Sequence, residues 1–186
     1  MKDYKVIAIL GNFGVGKSTI LKKLHDENGL KEPFFCAIKE SITSGGINTQ
    51  LPNSYILGKD PIGADSISNE KKEVARLKVA DRNGNVFIAG VFYTSEVDFE
   101  YYIRCGLIPI FVHLKTSKRE NIVRMKKRGG TARFNEATWA SNENKFVKLR
   151  EYADKRGLRF YTIDNDQQEE TVFEEFLKIM NQIDFN

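Results

Sequence analysis

Apolar residues fall along the chain in two alternating patterns. Lys5-Val-Ile-Ala-Ile-Leu10, Phe34-Phe-Cys-Ala-Ile38, Val86–Phe92, Pro109–Leu114 and Leu158–Ile163 are short, nearly continuous apolar runs. Runs of this kind predict strands buried on both faces, as in a parallel sheet. Between them the spacing turns helical. Ile20, Leu21 and Leu24 predict a helix over 18–28, stopped at Gly29. Ser68 reads as the N-cap of a helix reaching Ala80, and Asn83-Gly84 as a turn. Further helices are predicted over Glu96–Arg104, Ser117–Arg128, Glu136–Arg156 (ended by Gly157) and Gln168–Ile183. Residues 41–66, rich in Ser, Thr, Gly, Asn and Pro, read as one long loop, and loops of that length tend to be functional. The alternation predicts an α/β fold, a three-layer sandwich around a five-stranded parallel sheet, in a single domain spanning 1–186.

Ligands of such sheets bind beyond the C-terminal ends of the strands. At the end of the first predicted strand stands Gly11-Asn-Phe-Gly-Val-Gly16-Lys17-Ser18, a full match to G-x-x-x-x-G-K-[ST] in its proper place between strand and helix. Gly11, Gly14 and Gly16 let the backbone turn and bring its N–H groups to phosphate oxygens. The helix start adds unpaired N–H groups and a positive dipole end. Lys17 is expected to reach the β- and γ-phosphates of ATP and Ser18 to ligate Mg²⁺. The whole stretch Gly11, Asn12, Phe13, Gly14, Val15, Gly16, Lys17, Ser18, Thr19 is the expected nucleotide-binding set. A GTPase would carry an N-K-x-D box after a later strand; none is found, and the length suits a small kinase better than a motor-type ATPase.

Composition narrows the partners. No apolar run approaches the ~20 residues that span a bilayer, and the N-terminal run is too short for a signal peptide, so a cytoplasmic protein with no membrane partner is expected. The two cysteines, Cys36 and Cys105, sit in or beside apolar stretches without a C-x-x-C partner and read as buried free thiols. His113, inside a predicted strand, reads as structural. The formal charge of +4 is uneven: Lys115 to Arg133 carries eight basic residues and one acid, Glu120, which leaves the remainder mildly acidic. A field that local has a local polyanion to meet. Arg124, Lys127, Arg128 and Arg133 surround Gly129-Gly130. The pattern suits a basic helical lid, about 118–137, that closes on a Gly hinge, brings Arg124 and Arg128 to the transferring phosphoryl group and excludes water. A solvated basic face, or a nucleic-acid contact without catalysis, is the plainer alternative.

Tyr55-Ile-Leu-Gly58-Lys-Asp-Pro-Ile-Gly63-Ala-Asp65-Ser66-Ile67 is the second informative stretch. Asp65, just before a helix, reads equally as a cap and as a base taking the proton of an acceptor hydroxyl. Here the chain resembles the P-loop kinases of bacteriophages, a group akin to nucleoside and nucleotide (NMP) kinases that includes the 5-hydroxymethyluracil DNA kinases. Leu57-Gly58, Gly63, Asp65 and Ile67 match that group's segment after the second strand. The phosphate loop, the third strand, the basic lid helix and the long helix after Arg133 follow in the same order. The resemblance implies an NMP-kinase-like P-loop fold and phosphorylation of the 5-hydroxymethyl group of a base already in DNA. The chain departs from the group at Ala64, where a second glycine is usual, and at Ala89, where the third strand often carries glutamate. Glu40 is then a candidate to orient Mg²⁺ through water or to act as a base; Glu96 and Asp98 are others.

Three functions follow. A DNA-base kinase draws on the basic segment and the pI near 8.9. Its base would be flipped into a pocket, with Tyr55, Phe92 and Tyr93 as stacking candidates that read equally as core. Glu40, Tyr55, Gly63, Asp65 and Arg133 make up its expected acceptor site. A kinase of a free nucleoside, nucleoside monophosphate or small metabolite fits the lid arginines equally well. A nucleotide-binding protein without transfer rests on Ala89 alone.

Overall fold

The computed structural model describes residues 3–28, 32–58, 67–90, 95–127 and 134–185. In chain order they form β1 (Lys5–Leu10), α1 (Lys17–Leu24), β2 (Phe35–Ala37), β3 (Ser41–Ser44), β4 (Ile47–Gln50), β5 (Ser54–Leu57), α2 (Lys72–Asp81), β6 (Asn85–Ala89), α3 (Glu96–Arg104), β7 (Ile108–Lys115), α4 (Lys118–Lys127), α5 (Glu136–Arg156), β8 (Phe160–Asp164) and α6 (Glu169–Met180).

The main sheet has the order β2-β5-β6-β1-β7-β8. From β5 to β8 every neighbouring pair is parallel, and β2 closes the edge antiparallel to β5. The fold is therefore α/β with five parallel strands, but one of the five is not the expected one. Ser54–Leu57 takes the second place, and the Phe34–Ile38 run supplies the antiparallel edge. The region expected as one loop holds β5 and a separate β3–β4 hairpin. That hairpin turns at Gly45 and Gly46, both at positive φ. Two such residues give a turn whose twist matches the flanking strands.

β1 lies in the middle, buried at every position. Ile7 and Ile9 face a core shared with α1 and α6; Val6, Ala8 and Leu10 face a second core shared with α2, α3 and α5. Helices thus cover both faces, which is why the strand reads as a continuous apolar run.

The helix boundaries follow local chemistry. α3 and α5 have the expected limits. Ser95 and Asp98 form a reciprocal capping box on α3. Asn135 caps α5, and Gly157 ends it in the left-handed conformation. α1 stops at Leu24, short of the expected end, because His25 turns extended and bridges Ile38. Ser68 is not the N-cap of α2: a short 3₁₀ turn over Asn69–Lys71 intervenes, and α2 starts at Lys72 without a side-chain cap. Neither cysteine forms a disulfide; Cys36 is buried as expected, whereas Cys105 is exposed. Among the described residues no helix is long and apolar enough to cross a membrane.

Candidate functional site

The chain leaves the end of β1 at Gly11 and enters α1 at Lys17. The loop between them needs glycine for steric as well as conformational reasons. Gly11 has φ 146° and Gly14 has φ 79°. A Cβ on Gly11 would stand 2.7 Å from Val15 Cγ2 and 2.9 Å from the Leu114 carbonyl oxygen. On Gly14 it would stand 2.8 Å from Met125 Sδ.

Lys17 is only 8% exposed, and its ammonium donates to the carbonyls of Gly11 (2.7 Å) and Asn12 (2.9 Å). The Phe13 and Val15 carbonyls are tied down from other elements. Asn121 of α4 donates to the Phe13 carbonyl at 2.7 Å. Asn165, just past β8, donates to the Val15 carbonyl. The Thr19 and Ile20 amides donate to the Gly16 carbonyl. Within a peptide plane C=O and N–H point in opposite directions, so each fixed carbonyl also fixes the direction of the N–H that shares its plane. That is the arrangement of an anion-binding cradle. A further network holds the loop to α5: Asn12 donates to Glu143 Oε1 at 2.6 Å and accepts from Asn142 at 2.9 Å. Asn12, Asn121, Asn142 and Asn165 are all buried, and each is hydrogen-bonded.

On the α1–α6 side the loop opens onto a cavity of about 320 Å³. Its walls include Thr19, Arg124, Lys127, Asn165, Gln167 and Phe173. The size suits a small organic ligand, and the wall mixes a ring and polar groups with three cations (Lys23, Arg124, Lys127) and two acids (Glu120, Glu169). Arg124 is oriented on both sides: Nε donates to Glu120 at 2.9 Å, and Nη2 donates to the Asn165 carbonyl at 2.5 Å. Ser18, the second residue of α1, stands half-buried at the helix start. Among the described residues no three His, Cys, Asp or Glu side chains gather to hold a metal by themselves.

The structure brings Gly11 to Thr19 and Arg124 together. Asp65, Gly63, Arg128 and Arg133 lie outside the described residues, as do Phe92, Tyr93 and Gly129-Gly130. Glu40 and Tyr55 are corrected: neither is near the phosphate loop. β2 runs antiparallel, so its end meets the start of β5, with Ala37 opposite Tyr55 and the Ile38 amide bonded to the Ser54 carbonyl. Glu40 follows there, exposed. Tyr55 is level with Val86, and Val86 with Val6; Leu10 lies four residues, about 13 Å, farther along. The Tyr55 ring instead carries the Arg82 guanidinium 3.5 Å from its centroid.

α4 is a wall of the site. Met125 and Asn121, both buried, pack it onto the loop, and Lys118 pairs with Glu136 at the start of α5. The described part of the expected lid is therefore anchored. Asp98 is engaged in the capping box of α3 with Ser95. His113, beside Leu10 in the sheet, packs against Phe146 with ring centroids 4.7 Å apart and the planes tilted by 42°. Burial, with help from Lys115, Arg150 and Lys17, pushes its pKa down to about 4, so it is neutral near pH 7. Burial also raises the pKa of Glu143, against the opposing pull of its Asn12 hydrogen bond and Lys115.

Sequence reading missed Asn121, Asn142, Glu143 and Asn165. Single asparagines carry no spacing signal, and only the fold brings these four to the loop.

No family model and no curated protein matches the chain. Solved structures similar to it include a sugar kinase from Janibacter sp. HTCC2649, 17% identical, with 96% of this chain and 95% of that chain covered and a TM-score of 0.49. A gluconokinase from Sinorhizobium meliloti 1021 is 14% identical over 98% of this chain and 94% of its own, with a TM-score of 0.49. A shikimate kinase from Bacteroides thetaiotaomicron is 14% identical over 95% and 98%, with a TM-score of 0.44. Likenesses of this strength fix no substrate.

Proposed function

We propose that the chain is a kinase that transfers the γ-phosphate of ATP to a hydroxyl group. One observation carries the reading: the Lys17 ammonium bonds the Gly11 and Asn12 carbonyls of a loop at the C-terminal end of the central strand, and that loop opens onto a cavity walled in part by Arg124 and Lys127. The loop N–H groups and Lys17 would hold the phosphates, and Ser18 would hold Mg²⁺, which draws charge from the phosphate oxygens. In transfer, the acceptor oxygen forms a bond to the γ-phosphorus while the bond to the β–γ bridging oxygen breaks. The hydroxyl proton passes to a base, and ADP departs. Arg124 supplies positive charge on the nucleotide side; Arg128 and Arg133 are proposed to extend it, and Asp65 to meet the acceptor.

The resemblance to phage P-loop kinases makes the 5-hydroxymethyl group of 5-hydroxymethyluracil in DNA the first acceptor to test. One observation favours the second reading, a free nucleoside, nucleotide or small metabolite. Three of the five α4 cations that mark the basic segment are paired or line the cavity (Arg124 on Glu120 and Asn165, Lys118 on Glu136, Lys127 at the cavity wall), while Arg119 and Lys126 are exposed. Label from [γ-³²P]ATP, followed into modified duplex DNA, plain DNA and free nucleosides and nucleotides, separates the two. Label in the modified DNA alone selects the first; label only in a free compound selects the second.

A further inference from the structure

The phosphate loop is gripped by a carboxylate that belongs to no sequence motif. Asn12, the second residue of the loop, is only 4% exposed, and both ends of its side-chain amide are engaged by α5. Its Nδ2 donates to Glu143 Oε1 at 2.6 Å, and its Oδ1 accepts from Asn142 Nδ2 at 2.9 Å. The order of the groups follows from their chemistry. An ionised carboxylate can only accept, so Asn12 turns its NH2 group to Glu143, and its oxygen receives the NH2 group of Asn142. Through its backbone carbonyl the same residue accepts from the Lys17 ammonium at 2.9 Å. Asn12 thus links the Glu143 carboxylate to the Lys17 ammonium.

Two further observations make this link more than packing. The first is position. No residue of α5 lines the nucleotide cavity, so the contact steadies the loop without occupying the space a nucleotide would take. The second is charge. Burial raises the pKa of Glu143, while its Asn12 hydrogen bond and Lys115 pull it down. The half-buried carboxylate is thus held charged in part by the bond it makes to the loop. A charge-assisted bond of this kind is roughly twice as strong as a neutral one. A loop held in its binding geometry before the ligand arrives loses less freedom on binding, and so binds more tightly.

We propose that Glu143 is a positioning residue of the phosphate site: through Asn12 it holds the Gly11–Asn12 end of the loop, whose carbonyls carry Lys17, ready to receive phosphates. The inference rests on the kinase reading for the identity of the ligand, and adds to it a residue outside the phosphate-loop sequence.

The test is calorimetric titration of the full chain with ATPγS and Mg²⁺, and with inorganic tripolyphosphate as a probe of the loop alone. The variants are Asn12→Ala, Glu143→Ala, Glu143→Gln and Asn12→Ala/Glu143→Ala, each also unfolded in urea. Glu143→Ala and Asn12→Ala should each weaken both ligands about tenfold, and the double variant should lose little more than either single one, because the two residues act through one bond. Glu143→Gln keeps an oxygen that accepts from Asn12, and should recover affinity to within about threefold of wild type. Leu149→Val, in the buried part of the same helix, should lower stability and leave both affinities within about twofold. Wild-type affinity in Glu143→Ala, additive losses in the double variant, no recovery in Glu143→Gln, or an equal loss in Leu149→Val overturns the proposal; with ATPγS still bound by the wild type, the kinase reading survives that failure. If the wild type binds tripolyphosphate but not ATPγS, and the variants follow the expected pattern, the kinase reading fails and the positioning role stands. If it binds neither, both fail.

Discussion

Gly11 and Gly14 are glycines for different steric reasons, and the difference is measurable. A Cβ at Gly14 meets the far end of the flexible Met125 side chain, whereas at Gly11 it meets the backbone oxygen of Leu114. Gly14→Ala is expected to cost about 1–3 kcal/mol from its left-handed backbone, and a double-mutant cycle with Met125→Ala should show positive coupling. Gly11→Ala should cost more, with no coupling to Met125; urea denaturation of the four variants checks both. His113 gives a pH prediction at the same scale. Its pKa is about 4 in the folded chain and near 6.5 when unfolded. Below pH 6.5 the unfolded chain takes up a proton that the folded chain does not, so stability falls as pH drops from 6.5 toward 4. The loss is about 3 kcal/mol by linkage. His113→Phe should remove that part of the slope in denaturation measured from pH 7 to 4. At this scale the phosphate loop was legible because its residues are adjacent in sequence. Asn121, Asn142, Glu143 and Asn165 were not, because they meet the loop only through the fold.

Elements succeed or fail as sequence signals according to how they end. α3 and α5 carry their own punctuation, a Ser95–Asp98 capping box and the Asn135 and Gly157 caps, and their limits were readable. Gly157 has φ 65° and nothing within 4 Å of an added Cβ. Gly157→Ala should therefore cost only the backbone term, about 1 kcal/mol, seen as a small drop in melting temperature with unchanged ligand binding. β5 was hidden because four residues between Pro52-Asn53 and Gly58 look like loop, and the antiparallel direction of β2 was hidden because periodicity carries no direction. That one reversal moved Glu40 and Tyr55 away from the site. At the other end of the sheet, the turn after β8 grips the loop through Asn165. Asn165→Ala would leave the buried Val15 carbonyl without that donor, at about 1–3 kcal/mol. It should weaken ATPγS binding in titration calorimetry, while Gln167→Ala, at the cavity wall without a bond to the loop, should have little effect on stability.

Over the whole molecule, five parallel strands bring the loop, α4 and the turn after β8 to one end of the sheet, and α3 and α5 to the same end on the other face. The layered architecture was legible because strands buried on both faces read as unbroken apolar runs. The cavity beside the loop was not, since it is no stretch of sequence. The central claim is phosphoryl transfer, and its most direct measurement is release of ADP from ATP with Mg²⁺ together with label in an acceptor, for the wild-type chain and Lys17→Ala. The account predicts transfer to a hydroxyl acceptor by the wild type and a loss of roughly 100-fold or more in Lys17→Ala. Nucleotide binding without transfer to any hydroxyl acceptor, or transfer unaffected by Lys17→Ala, would contradict it.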